Sequence, residues 1–119
     1  MKMIKKDAGG KSKVIDINLD LDELTKMVGG FIEIVQLRLY EPKFSKHQYV
    51  LIVNDEGRIR NMPLNFILPR TRTPIHGNVV ALKLNVNGEF AGLNEFDINQ
   101  LTNYMEESNY GIIKSQSLV

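Results

Sequence analysis

The chain of 119 residues has no cysteine and no tryptophan, and only two histidines and four prolines. Each shortage excludes something. Without cysteine there is no disulfide framework and no thiolate metal site, which suits a reducing compartment. His47 and His76 are too far apart to form a metal-ligand pair by spacing. No apolar run approaches the ~20 residues of a membrane-spanning helix. The basic start, residues 1–13, lacks the apolar stretch of a signal peptide. Neither sign of charge prevails: 15 Lys and Arg stand against 14 Asp and Glu, so a net charge of +1 draws the chain to neither nucleic acid nor a membrane. Nucleic acid is also disfavoured because no long basic stripe alternates with aromatics. The reading is a cytoplasmic protein without a membrane partner.

Catalytic signatures are missing as well. There is no nucleophile elbow, phosphate loop, zinc-protease helix or dinucleotide fingerprint. Gly9-Gly10-Lys11-Ser12 resembles the end of a phosphate loop but has no earlier glycine at the required spacing, and it reads as a hairpin turn. The carboxylates Asp16, Asp20, Asp22 and Glu23 do not follow calcium-loop spacing; they suit a helix N-terminus. No enzymatic activity and no cofactor is expected.

What is present is an ordinary globular composition, 43% hydrophobic and 24% charged, far from the disordered regime. One domain over residues 1–119 is expected, with 110–119 as a mobile tail. Met3–Lys5 and Lys13–Asn18 flank a glycine-rich turn and predict a hairpin. Asp20 opens a helix with Leu21, Leu24 and Val28 on one stripe, and Gly29-Gly30 ends it. Phe31–Leu39 is apolar on both faces and reads as a central strand; Tyr49–Val53 reads as another. Asn54-Asp55-Glu56-Gly57 is a turn, followed by a short strand over Arg58–Asn61. Pro63–Leu68 reads as a helical turn or loop. Ile75–Val86 reads as one long strand ending in the hairpin turn Asn87-Gly88. Asp97 and Gln100 have capping-box spacing for a last helix. The fold class is α+β: a mostly antiparallel sheet with two helices packed against it, both on one face.

The strongest binding signal lies in Arg58–Asn78. Four of the five arginines are there: Arg58, Arg60, Arg70 and Arg72. A guanidinium grips phosphate or carboxylate with two parallel hydrogen bonds. Asn65, His76 and Asn78 can read polar edges, and Phe66 can stack on a base. Prolines 63, 69 and 74 stiffen the segment. The same pattern also suits a solvated face, with Leu64, Phe66, Ile67 and Leu68 plugging the core.

The order of Val28-Gly29-Gly30-Phe31-Ile32-Glu33, Asn54-Asp55-Glu56-Gly57, Met62-Pro63-Leu64-Asn65 and Ile75-His76-Gly77-Asn78-Val79-Val80 resembles a family of small domains of unknown function from phages, plasmids and conjugative elements. Its recurrent marks fall here on Gly29, Gly30, Asn54, Glu56, Gly57, Pro63, Asn65 and Gly77. A weaker similarity is to phage anti-defence sponges, small non-catalytic oligomers that sequester nucleotide immune signals. That resemblance implies a homodimer or higher homo-oligomer in the host bacterial cytosol. It would bind a cyclic ADP-ribose isomer or a cyclic oligonucleotide through Arg58, Arg60, Arg70 and Arg72. Phe66 or Phe31 would stack, and Asn65, His76 and Asn78 would read ligand edges. The alternative is a protein-interaction module that inhibits a host enzyme.

Overall fold

The computed structural model describes residues 1–37, 48–69 and 71–105. The expected polar loop Glu41–Lys46, His47, Arg70 and the tail 110–119 lie outside them. The chain opens with the predicted hairpin. β1 (Lys2–Lys6) pairs antiparallel with β2 (Ser12–Asp16), from Lys2 opposite Asp16 to Lys6 opposite Ser12. The turn closes with Gly10 N–H donating to the Asp7 carbonyl at 2.9 Å, and Gly9 takes a φ of 79°.

α1 (Leu21–Val28) starts where the sequence places it. Asp20 is extended, and its carboxylate accepts the Asp22 N–H at 2.9 Å. Gly29 ends it in the left-handed conformation, φ 81°, with its N–H donated to the Thr25 carbonyl. A side chain there would be strained, so the glycine decides where the helix stops.

β3 (Ile32–Gln36), β4 (Gln48–Asn54), β5 (Leu64–Ile67), β6 (Pro74–His76), β7 (Val79–Leu84) and β8 (Phe90–Ala91) follow. The main sheet is antiparallel with six strands, in the order β2-β1-β7-β4-β3; β8 shares with β1 the side of β7 opposite β4. β5 and β6 form a separate two-stranded hairpin. The described part of a second helix, α2, covers 95–105.

Alternation along the central strands feeds two cores. On one face Val50, Ile52, Val80 and Leu82 meet Met3 and the buried stripe of α1, Leu24 and Val28. On the other, Tyr49, Leu51, Val53, Val79 and Ala81 meet Leu101, Tyr104 and Met105 of α2, with Phe66 and Ile75 of the small hairpin. The arrangement is three layers with helices on opposite faces, a correction to the expectation of both on one. β4 and β7 are central strands, buried on both faces, and so read as near-continuous apolar runs.

Five more expectations need correction. The strand at Phe31–Leu39 is not central: β3 is the edge of the sheet, and Glu33, Ile34 and Gln36 are exposed. Residues 55–61 form consecutive turns rather than a strand, with Arg60 N–H bonding the Glu56 carbonyl and Met62 N–H the Gly57 carbonyl. Pro63–Leu68 holds a strand, β5, rather than a helical turn or loop. The expected long strand 75–86 is two, β6 and β7, broken at Gly77, whose φ is 83°. The last helix is capped by Asn94, not Asp97. Asn94 Oδ1 accepts the Asp97 N–H at 2.8 Å and Asp97 Oδ2 accepts the Asn94 N–H at 2.9 Å, a reciprocal capping box one turn earlier.

Candidate functional site

The turns over 55–61 carry Arg58, Ile59 and Arg60, and their placement depends on buried side chains beneath them. Asn54, at the end of β4, is the anchor. Its Nδ2 donates to the Val28 carbonyl at 3.0 Å, satisfying one of the free carbonyls at the α1 C-terminus, and its Oδ1 accepts the Glu56 N–H at 2.7 Å. Gly57 lies so close to β6 that a Cβ would stand 2.8 Å from the His76 carbonyl oxygen. Pro63 carbonyl accepts the Gly77 N–H at 2.7 Å, and Met62 carbonyl accepts from His76 Nδ1 at 2.9 Å, which fixes the ring proton on Nδ1.

Asn65 completes this framework. Its Nδ2 donates to the carbonyls of Lys6 (2.9 Å) and Gly77 (2.8 Å), and its Oδ1 accepts from Lys6 Nζ at 2.7 Å. Consecutive Asn65 and Phe66 are both buried, and the pairing of β5 with β6 shifts register between Leu64 and Phe66. Lys6 Nζ lies 5.8 Å from the centroid of the Phe66 ring. Burial lowers the Lys6 pKa, and nearby Asp7 offsets part of that shift. The marks Gly29, Asn54, Gly57, Pro63, Asn65 and Gly77 therefore converge on one structural knot at the end of the sheet.

The predicted ligand residues divide accordingly. Phe66 is 0% exposed and belongs to the core, so it cannot stack on a ligand while the fold is intact. Asn65 is buried, with both amide N–H groups and its oxygen bonded to the protein. Asn78 Oδ1 accepts the Ala8 N–H at 3.0 Å and holds the first hairpin against β7. Arg70 lies outside the described residues. Arg72 is exposed at the tip of the small hairpin with φ 56°, away from extended geometry.

The others gather. Arg58 and His76 line a cleft of about 160 Å³ with Glu33, Val35, Asp55, Thr73 and Ile75, between the edge of β3 and β6. Arg60 is exposed, and one of its terminal nitrogens lies 3.6 Å from where a Cβ on Gly30 would be. Phe31, the next residue, is 79% exposed, and its carbonyl accepts the Asp55 N–H at 2.8 Å. Ile59, between the two arginines, is 82% exposed. Two guanidinium groups, an open aromatic ring and a mixed-charge cleft thus share one end of the molecule. Nothing in the sequence signals that Glu33 and Asp55 join them, because β3 and the turn are brought together by the β3–β4 ladder.

A second polar group, missed in the sequence, lies under α2. Asp97 accepts from Tyr49 OH and from Lys83 Nζ, each at 2.5 Å, and all three are buried. Burial pushes the Asp97 carboxyl upward, but the Asn94 N–H, the Lys83 ammonium and the Tyr49 hydroxyl outweigh it and hold its pKa below the ordinary value. Burial, and then the Asp97 carboxylate, push the Tyr49 hydroxyl well above its usual range. Neither His76 nor Arg58 belongs to this group. Among the described residues no three His, Asp or Glu side chains are grouped to hold a metal ion, and no helix is long and apolar enough to cross a membrane.

A family model described as "Domain of unknown function (DUF3846)" matches residues 1–106. No curated protein and no solved structure matches the chain.

Proposed function

The chain belongs to the DUF3846 family of domains of unknown function, and on that premise we propose that it is a binding protein that sequesters a nucleotide-derived anion without transforming it. The observation that carries this reading is the exposed Phe31, whose chain neighbour Gly30 lies against the Arg60 guanidinium, with Arg58 and the cleft alongside. An aromatic face stacks on a base, and guanidinium groups neutralise phosphate. Glu33 and Asp55 in the cleft favour a ligand that also offers hydrogen-bond donors, such as a base edge or ribose hydroxyls. Pockets for drug-sized ligands occupy roughly 300–1,000 Å³, so the cleft of about 160 Å³ would take one part of a nucleotide while the rest lies over Phe31.

In the phage and mobile-element setting that the sequence resemblance implies, the ligand is a cyclic ADP-ribose isomer or a cyclic oligonucleotide made as an immune signal in the host cytosol. Sequestration then needs nanomolar binding, about −12 kcal/mol. The test is a thermal-shift series of the purified chain against cyclic dinucleotides, cyclic trinucleotides and cyclic ADP-ribose isomers. Ligand at 100 times its Kd adds about 2.7 kcal/mol of stability. A shift that disappears in Arg58→Ala and Arg60→Ala, with the ligand recovered unchanged, supports the reading; a flat response over the panel removes it.

A second reading has its own observation. Ile59 and Phe31 are large apolar side chains almost wholly in solvent, as at the centre of a protein contact. Under that reading the chain inhibits a host enzyme by docking this end on it, and no small molecule is released when the complex is heated.

A further inference from the structure

β3 is the last strand of the main sheet, and among the described residues nothing pairs with its outer side. The hydrogen bonds to the β4 side fix which of its backbone groups face outward. Phe31 carbonyl accepts from Asp55, and Leu37 N–H donates to the Tyr49 carbonyl. Residues of an antiparallel strand alternate between bonding toward one neighbour and the other. Glu33 and Val35 therefore bond inward, and Ile32, Ile34 and Gln36 turn their N–H and C=O groups away from β4.

Exposed edges are normally guarded by Lys, Pro, a bulge or a covering element. Ile32-Glu33-Ile34-Val35-Gln36 has neither Lys nor Pro, and its register with β4 runs through five pairs without a shift. The opposite edge, β2, carries Lys13 with Lys11 beside it, and the carboxylate of its Asp16 is held by the N-terminal amine at 3.0 Å.

We propose that two copies of this chain join antiparallel through β3, about a two-fold axis at Ile34, and merge their main sheets into one. An isologous contact needs a patch complementary to itself, and the outward set 32, 34, 36 is symmetric about 34. Ile34 bonds Ile34 of the second copy, and Ile32 bonds Gln36, so every outward N–H and C=O finds a partner. Ile34, 45% exposed in the single chain, gains an apolar neighbour at the axis. On the other face Glu33 stands opposite Val35, so no like charges are directly opposed. A net charge of +1 gives two copies little mutual repulsion.

The seam is short. Five residues span about 17 Å, and stable interfaces bury roughly 800 Å² per partner, so the dimer forms in the micromolar range and dissociates on dilution. Pairing also brings Val35 of the second copy opposite Glu33, at the wall of the cleft, and lengthens that cleft across the axis. This last consequence rests on the ligand reading; the pairing itself does not.

The absence of cysteine makes the test direct. Hydrogen-bonded antiparallel pairs have Cα atoms about 5.5 Å apart, within disulfide reach. Under mild oxidation Ile34→Cys becomes a covalent dimer of twice 13.6 kDa. Gln36→Cys does not, because its counterpart lies about four residues farther along the strand, nor does Val14→Cys on the β2 edge. In sedimentation, the mass of the unsubstituted chain rises with concentration from 13.6 kDa toward twice that value. Ile34→Pro stays at the single-chain mass and remains folded, because the N–H it removes is unused within the chain. Ile34→Lys, which opposes two ammonium groups at the axis, also stays single. A mass that never rises, a dimer that survives Ile34→Pro, or cross-linking of Val14→Cys as readily as Ile34→Cys overturns the proposal. Should Ile34→Pro unfold, the contrast between Ile34→Cys and Gln36→Cys decides alone. Thermal shift on the single-chain Ile34→Lys variant reports separately on ligand binding, so the two readings fail independently.

Discussion

Replacing Asp97 with asparagine is expected to be the most damaging single change of shape-conserving kind in this protein. Asp97 accepts three hydrogen bonds: Tyr49 OH on Oδ1, and Lys83 Nζ and the Asn94 N–H on Oδ2. Asparagine offers only one acceptor oxygen, so its amide N–H₂ must face one of these donors. It also leaves the buried Lys83 ammonium without its counter-charge. Removing one partner of a buried ion pair costs about 3–5 kcal/mol, against a total stability of roughly 5–15 kcal/mol. At about 3–5 °C per kcal/mol for a domain of this size, the melting temperature should fall by roughly 10–20 °C. Differential scanning calorimetry measures this. The double variant Lys83→Met with Asp97→Asn should recover much of the loss, because a well-packed apolar replacement needs no counter-charge. The pH dependence has a defined sign. The folded pKa of Asp97 is lowered, so its contribution is fully present above the ordinary value of 3.8 and is lost as pH falls through the folded pKa. The gap between the parent and Asp97→Asn should therefore narrow in that acid window. A loss below about 1 kcal/mol, within the range of an ordinary exposed pair, would refute the view that Asp97 holds Lys83 in the core.

The same framework of hydrogen bonds and close contacts sets the other outcomes. Asn65→Ala strips partners from two buried carbonyls and from Lys6, and should cost about 2–4 kcal/mol by denaturant titration. Gly57→Ala sets a Cβ 2.8 Å from backbone and should cost about 1–3 kcal/mol while displacing the turn that bears Arg58 and Arg60. Gly88→Ala meets no atom within 4 Å and should cost only the left-handed strain, about 1 kcal/mol. Asp20→Ala removes the α1 cap and should cost about 1 kcal/mol. Arg58→Ala and Arg60→Ala should leave the melting temperature of the free protein unchanged, which separates them from every substitution in the knot below.

The resemblance marks acquire a physical meaning from the fold. Gly57 and Gly77 let the turn approach β6, Asn54 ties that turn to the end of α1, and Asn65 ties β5 to β1 and Gly77. These positions hold the turn in place. The residues that reach outward from it, Phe31, Arg58, Ile59 and Arg60, are the ones free to meet a ligand or a partner, and only Ile59 among them drew no notice in the sequence.

The sequence by itself determined what is decided within a few residues. The Gly9-Gly10 and Asn87-Gly88 turns, the Asp20 cap and the Gly29 stop follow from local backbone preferences, and the apolar run Tyr49–Val53 announces a buried strand. Only the tertiary structure decided what depends on distant partners. An edge strand and a central one can carry the same alternation, so the place of β3 came from pairing between segments far apart in the chain. Two amphipathic helices carry no label for the face they cover, and α1 and α2 took opposite ones. Phe66 and Asn65 could have pointed to solvent; packing against distant segments buried both, because burial of an aromatic ring and three hydrogen bonds to a buried amide outweigh their exposure to a ligand.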